Sequence, residues 1–248
     1  MNEEFDTVEP SGELGWTSAL GNPPEVSHEM NLTEAIEMAD EFAREELGAE
    51  SNATEFMTYI ASVESNYGNI QSGGMHQQWM NNALSYGPFQ MDPIRYYATV
   101  QDPKLGPEHK KRIGKANDFL ISQGYGENFD ISKIAIYDPK TNDFSSKSER
   151  KIMHDPLINS VLTRLALMQS KRAAPEEMDD MAMYYQEFWG PKWSQSNDKD
   201  FKAGMRKEAN NKYLDIMEYK GRLENENLEE IKEDNTEAKI VDYLKGLF

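Results

Sequence analysis

A mainly α-helical fold, with at most a small β-hairpin in its polar middle, is what this 248-residue sequence predicts. Three observations lead there. Apolar residues recur at spacings of three and four in several stretches, and most of those stretches begin or end at a capping residue, a proline or a glycine. No succession of alternating segments is strong enough to build a sheet.

Residues 1–30, with SGELG, GNPPE and many acids, lack a lasting hydrophobic period and read as a disordered acidic segment. A helix follows in NLTEAIEMADEFAREELG, capped by Asn31 or Thr33 and stopped at Gly48, with Ile36, Ala39, Phe42 and Leu47 as its apolar stripe. SNATEFMTYIASVESNYG gives the next, capped by Asn52 or Thr54. Phe56, Ile60, Val63 and Tyr67 form one face, and Gly68 terminates it. Residues 69–93 are rich in turn formers and end in SYGPFQMDP. A short helix fits from about Pro93 to Val100, and a basic one fits PEHKKRIGKANDFLISQG, ahead of loops around DPKTNDFSSKS.

From Asp155 the pattern sharpens. DPLINSVLTRLALMQSKRA has Pro156 in its first turn, then Ile158, Leu162, Leu165 and Met168. PEEMDDMAMYYQEFWG predicts a helix with Pro175 and four acids in its first turns, stopping at Gly190. The chain is helix-prone from about Asp200, with a break expected near Gly221 and an amphipathic end, AKIVDYLKGLF. The expected organisation is an acidic segment over 1–30, a domain over 31–200 and a helical extension over 201–248.

Charge narrows the range of partners. Of a net charge of −18, most belongs to the ends: residues 1–50 hold fourteen acids against Arg44 alone, whereas residues 51–220 hold 22 acidic and 21 basic residues. Phosphate backbones need basic patches, so neither nucleic acid nor an anionic membrane is an expected partner. No apolar run approaches the roughly 20 residues that span a bilayer. The first residues, MNEEFDTVEP, lack the basic start and apolar stretch of a signal peptide. Cysteine is absent, which rules out disulfides and thiolate metal sites. The histidines His28, His76, His109 and His154 show no ligand spacing, so no metal and no cofactor are expected. SGGMHQ lacks the lysine of a phosphate loop, and Ser65 and Ser85 have no evident histidine partner.

The residue of most chemical interest is Glu64. It follows Val63 directly and so lies beside the apolar face of its helix, with Tyr67 three residues on. A carboxyl group at the edge of a core can have its pKa raised by desolvation, which suits a general acid. The plainer reading is a helix-terminal glutamate facing water.

The order of motifs favours the acid. ESNYG, SYGPFQM, DPLINSVLTRLAL and MAMYYQEFWGP together resemble the lysozyme-like lytic transglycosylases, a group that includes goose-type lysozymes and wall-opening proteins of phage particles. The resemblance covers about residues 50–195. It implies a lysozyme-like helical domain in which Glu64-Ser65 is the catalytic glutamate and its following serine. Gly87-Pro88-Phe89-Gln90-Met91 is similar to the next motif, and Asp155-Pro156 with Asn159 to the third. YYQEFWGP is similar to the phage form of the last, which puts Tyr184 or Tyr185 in the cleft. The stretch from Glu64 to Gln90 is longer than usual, as an insertion at QSGGMHQQWMNN would make it.

The resemblance implies cleavage of the bond between N-acetylmuramic acid and N-acetylglucosamine in peptidoglycan. Glu64 would act first as acid and then as base, giving a 1,6-anhydro product. Ser65, Tyr86, Gln90, Met91, Tyr184 and Tyr185 are the implied substrate contacts. Asp92 is either the cap of a helix starting at Pro93, the better-supported role, or a second carboxylate that would permit hydrolysis. A neutral body with acidic ends suits delivery by other machinery, so a component of a phage tail or capsid is expected. Such a protein would dock through its terminal segments, with Ile240, Val241, Leu244, Leu247 and Phe248 as one face. A structural virion protein that keeps the fold without activity is the alternative.

Overall fold

The computed structural model describes residues 31–65, 87–141, 143–144, 153–170, 172–189, 197–218 and 221. The acidic segment 1–30, the helix stop at Gly68, the insertion 71–82, Tyr86, Gly190 and the docking face near residue 248 lie outside these residues. Seven helices and one two-stranded hairpin make up the described regular structure, so the mainly helical expectation holds.

Helix α1, Leu32–Glu46, starts where Asn31 Oδ1 accepts the Glu34 N–H, which satisfies one of the four free amides of the first turn. Leu32, Ala35, Ile36, Ala39, Phe42 and Ala43 bury one stripe, as the spacing requires. Gly48, at φ 71°, ends it and lets the Ala49 N–H reach back to the Ala43 carbonyl.

Helix α2, Thr54–Ser65, departs from the expected one-sided pattern. Every residue from Phe56 to Val63 is buried. Small polar residues explain how: Ser62 Oγ donates to the Thr58 carbonyl, and Ser65 Oγ to that of Ala61, so hydroxyls enter the core already satisfied. A helix apolar on all sides belongs in the middle of a fold. Helix α5, Pro156–Gln169, is its counterpart, buried continuously from Leu157 to Leu167 and capped by Asp155.

A buried ion pair fastens α1 to α5. Asp40, with no exposed surface, accepts Arg164 Nε at 2.8 Å on one oxygen and Arg44 Nε at 2.9 Å on the other. The same carboxylate takes the Ala53 N–H at the entrance to α2. Three elements thus meet on one charge whose hydrogen-bonding capacity is filled, the condition for burying it.

Between α2 and α5 the chain forms a four-residue helix α3, Pro93–Tyr96, which widens into a π-helical turn over Tyr97–Gln101. Helix α4, Pro107–Ser122, follows with proline at its first turn. The hairpin pairs β1, Tyr137–Asp138, antiparallel with β2, Asp143–Phe144. Asp138 closes its turn by accepting the Lys140 N–H.

Helix α6, Met178–Tyr184, begins three residues later than Pro175, where the sequence places it. The Ala174 N–H donates to Ser51 Oγ, and proline disfavours helical backbone in the residue before it, so the chain stays extended there. A second π-helical turn, Tyr185–Trp189, continues α6. Helix α7, residues 199–218, is capped by Asp198 and packs back onto the body: Ala209 and Tyr213 are buried, and Tyr59 Oη donates to Asn210. Gly221, the expected break, is itself helical, which costs a glycine only about 1 kcal/mol.

Candidate active site

Glu64, half-buried, sits between the buried residues Val63 and Ser65 in the last described turn of α2. Tyr185, the first residue of the second π turn, donates its hydroxyl to Glu64 Oε1 at 2.6 Å. The Tyr185 ring meets the Tyr59 ring edge-on at 6.0 Å, and Tyr213 from α7 lies 5.3 Å from Tyr59 on centroids. Tyr185 is thus held against the carboxyl by an aromatic stack that reaches α7.

Burial pushes the Glu64 carboxyl up to about 7. The Tyr185 hydrogen bond and the positive charges of Arg95 and Lys212 pull it down, and the negative charge of Asp92 pushes it up slightly. Desolvation outweighs the rest, so at neutral pH the group is divided between acid and carboxylate. Burial and the neighbouring Glu64 charge push the Tyr185 phenol far above its ordinary value, so it remains a donor throughout. A carboxyl group so poised can deliver a proton and take one back.

The Gly87–Gln90 turn, which leads into Asp92, is held from two directions. Asn159, on α5, accepts the Phe89 N–H at 3.3 Å and donates to the Met153 carbonyl at 3.1 Å. Trp189, from the second π turn, donates its indole N–H to the Phe89 carbonyl at 3.0 Å. Gly87 has φ 73°, and a Cβ there would fall 2.4 Å from the Met153 carbonyl oxygen. Only glycine combines that backbone with that approach. Gln90 carries φ 49°, rare for a side-chain-bearing residue, and its amide donates back to the Gly87 carbonyl. Three motifs far apart in sequence therefore meet at Phe89, Asn159 and Trp189.

The other expected contacts stand in varied surroundings. Tyr184 turns away: its hydroxyl donates to Ser170 and its ring packs edge-on against Phe56. Helical phase gives the partnership with Glu64 to Tyr185. Met91, an expected substrate contact, has its side chain wholly buried in the core. Ser65 is buried with its hydroxyl bonded to its own helix. Gln90 braces its own turn. Asp92 caps α3, accepting the Arg95 N–H at 2.7 Å on Oδ1, which is the expected cap role.

Arg95 is the participant that the sequence did not announce. Its guanidinium lies 3.9 Å from the Trp189 ring centroid and donates to the Trp189 carbonyl at 3.1 Å. Its role depends on a neighbour 94 positions away, which no local pattern encodes. Lys212, on α7, is a second such case. The only local hint was a cation embedded in the apolar, aromatic PIRYY.

His109 is buried on α4, with Nε2 2.7 Å from the Thr99 carbonyl oxygen. Among the described residues no group of His, Asp and Glu is arranged to hold a metal ion. In comparisons with protein-family models, curated proteins and solved structures, nothing matches the chain.

Proposed function

We propose that the protein is a peptidoglycan lytic transglycosylase that cleaves the β-1,4 bond between N-acetylmuramic acid and N-acetylglucosamine. One observation carries the reading: a single carboxyl group, Glu64, desolvated to a pKa of about 7 and oriented by Tyr185. Protonated Glu64 gives its proton to the glycosidic oxygen as the C1–O bond breaks, and the positive charge develops at C1. The resulting carboxylate removes the proton of the muramic 6-hydroxyl, whose oxygen closes onto C1. Glutamate is restored to its acid form and no water is consumed.

The role of Asp92 supports this route over hydrolysis. Glycosidases that use water or a covalent intermediate normally employ two carboxyl groups. Asp92, the nearest second candidate in the sequence, is engaged as a helix cap. The nearly neutral body and the phage-like YYQEFWGP stretch further support a virion component, in tail or capsid, that opens the wall locally during entry. Its partners would then be glycan strands and neighbouring virion proteins.

Digestion of purified peptidoglycan followed by mass spectrometry tests the reading. Anhydro-muramic ends that disappear in Glu64→Gln are the expected result. Reducing ends in place of anhydro ends would mean hydrolysis. Absence of release would leave a structural virion protein as the better account.

A further inference from the structure

A cavity of about 240 Å³ opens between α4, α5 and the segment that follows α5, and none of the residues around Glu64 lines it. Its chemistry is one-sided. Three arginines face it, Arg112 from α4, Arg164 from α5 and Arg172 just beyond, together with the hydroxyls of Ser51 and Ser170. Much of the remaining lining is alanine and glycine, which leaves the space unfilled.

The charges around it do not cancel. Arg164 is anchored at two nitrogens, its Nε on Asp40 at 2.8 Å and its Nη2 on the Ser51 carbonyl at 2.6 Å. Asp40 must also serve Arg44, so one carboxylate answers two guanidinium groups. Arg172 pairs with Glu187 at the surface. Arg112 has no ion pair among the described residues, and its buried Nε–H has no acceptor. Glu50, on the exposed rim, is the one carboxylate in the lining. In a chain of net charge −18, this is a concave spot with cationic excess.

The hydroxyls complete the pattern. Ser51 Oγ accepts the Ala174 N–H, and Ser170 Oγ accepts from Tyr184 and from the Arg172 N–H. Each serine accepts in these bonds, so the hydrogen of its own hydroxyl is left to give. A lining of donors suits a ligand made of acceptors, and planar guanidinium forks match tetrahedral oxyanions.

We infer that this cavity is a binding site for a phosphoryl group, with Arg112, the arginine of the lining that has no ion pair among the described residues, as its principal cation. The inference is independent of the role of Glu64. Inorganic phosphate and glycerol 3-phosphate are titrated calorimetrically into the full chain at fixed ionic strength, with chloride as the reference anion. Saturable binding at one site is expected, weakened about tenfold or more in Arg112→Gln and less in Arg112→Lys, which keeps the charge but loses the fork. Thermal unfolding checks that both variants fold. Tighter binding of glycerol 3-phosphate would identify a phosphate ester as the natural ligand, and tighter binding of inorganic phosphate would identify the free anion. Phosphate binding no better than chloride, or an Arg112→Gln variant that binds as well as the parent, would overturn the proposal.

Discussion

The hydroxyl of Tyr185 ends on Glu64 Oε1 at 2.6 Å, while that of Tyr184, one residue earlier, ends on Ser170. Adjacent tyrosines thus serve different purposes, and replacing each by phenylalanine should separate them. The Tyr185 hydrogen bond favours ionised Glu64, so its loss should move the pH dependence of activity on the Glu64 group upward. Tyr184→Phe should leave that profile in place and cost about 1 kcal/mol of stability. Rate measurements from pH 4 to 9 on both variants make the comparison.

Glu64→Gln should gain stability as it loses activity. Folding raises the Glu64 pKa from 4.5 to about 7, so burial favours the protonated form. That contribution is complete below pH 4.5 and is lost as pH rises through 7. Glutamine cannot ionise, so the variant should match the parent at pH 4 and exceed it by about 3 kcal/mol at pH 9. Denaturant unfolding at the two pH values measures the difference. Loss of a general acid should lower the rate by roughly 10²–10⁴-fold.

Gly87→Ala should damage the site through the backbone. The new methyl group would meet the Met153 carbonyl and the Asn159 side chain, and φ 73° already disfavours alanine by about 1–2 kcal/mol. A drop of more than about 2 kcal/mol is expected, with activity falling further than stability because the Gly87–Gln90 turn must shift. Thermal unfolding and turnover, measured on one preparation, provide both numbers.

Asp92 can be tested by two substitutions. Asp92→Asn keeps a good cap and should leave the product anhydro-ended. Asp92→Ala should lower stability by about 1 kcal/mol without changing the product. Fragment analysis decides the point, since a switch in product would assign Asp92 to the chemistry.

The helix starts at Asn31, Pro107 and Asp155 were legible because a cap is a local device, written within four residues. The stop at Gly48 was legible for the same reason. Glu64 was visible only through the order of distant motifs, since its own octet describes nothing more than a charged helix end. The all-round burial of α2 was hidden because Thr58 and Ser62 look solvent-facing until their bonds to neighbours are counted. The choice between Tyr184 and Tyr185 depends on how α6 is set against α2, and the presence of Arg95 on how α3 meets the turn that continues α6. That is a tertiary fact with no local signature.

The π turn over Tyr185–Trp189 holds an extra residue in its helical ladder, as a one-residue insertion in an α-helix would. Side-chain direction beyond such a point is offset by about 100° from the plain α-helical progression. Chain length through this turn therefore acts as a reading frame for side chains: Tyr185 lies before the offset and Trp189 at its end. Removing one residue here would let the helix relax to ordinary geometry and remain well formed. It would also swing the indole off Phe89 and release the Gly87–Gln90 turn. The number of residues in this turn would, on this account, matter as much as which residues they are.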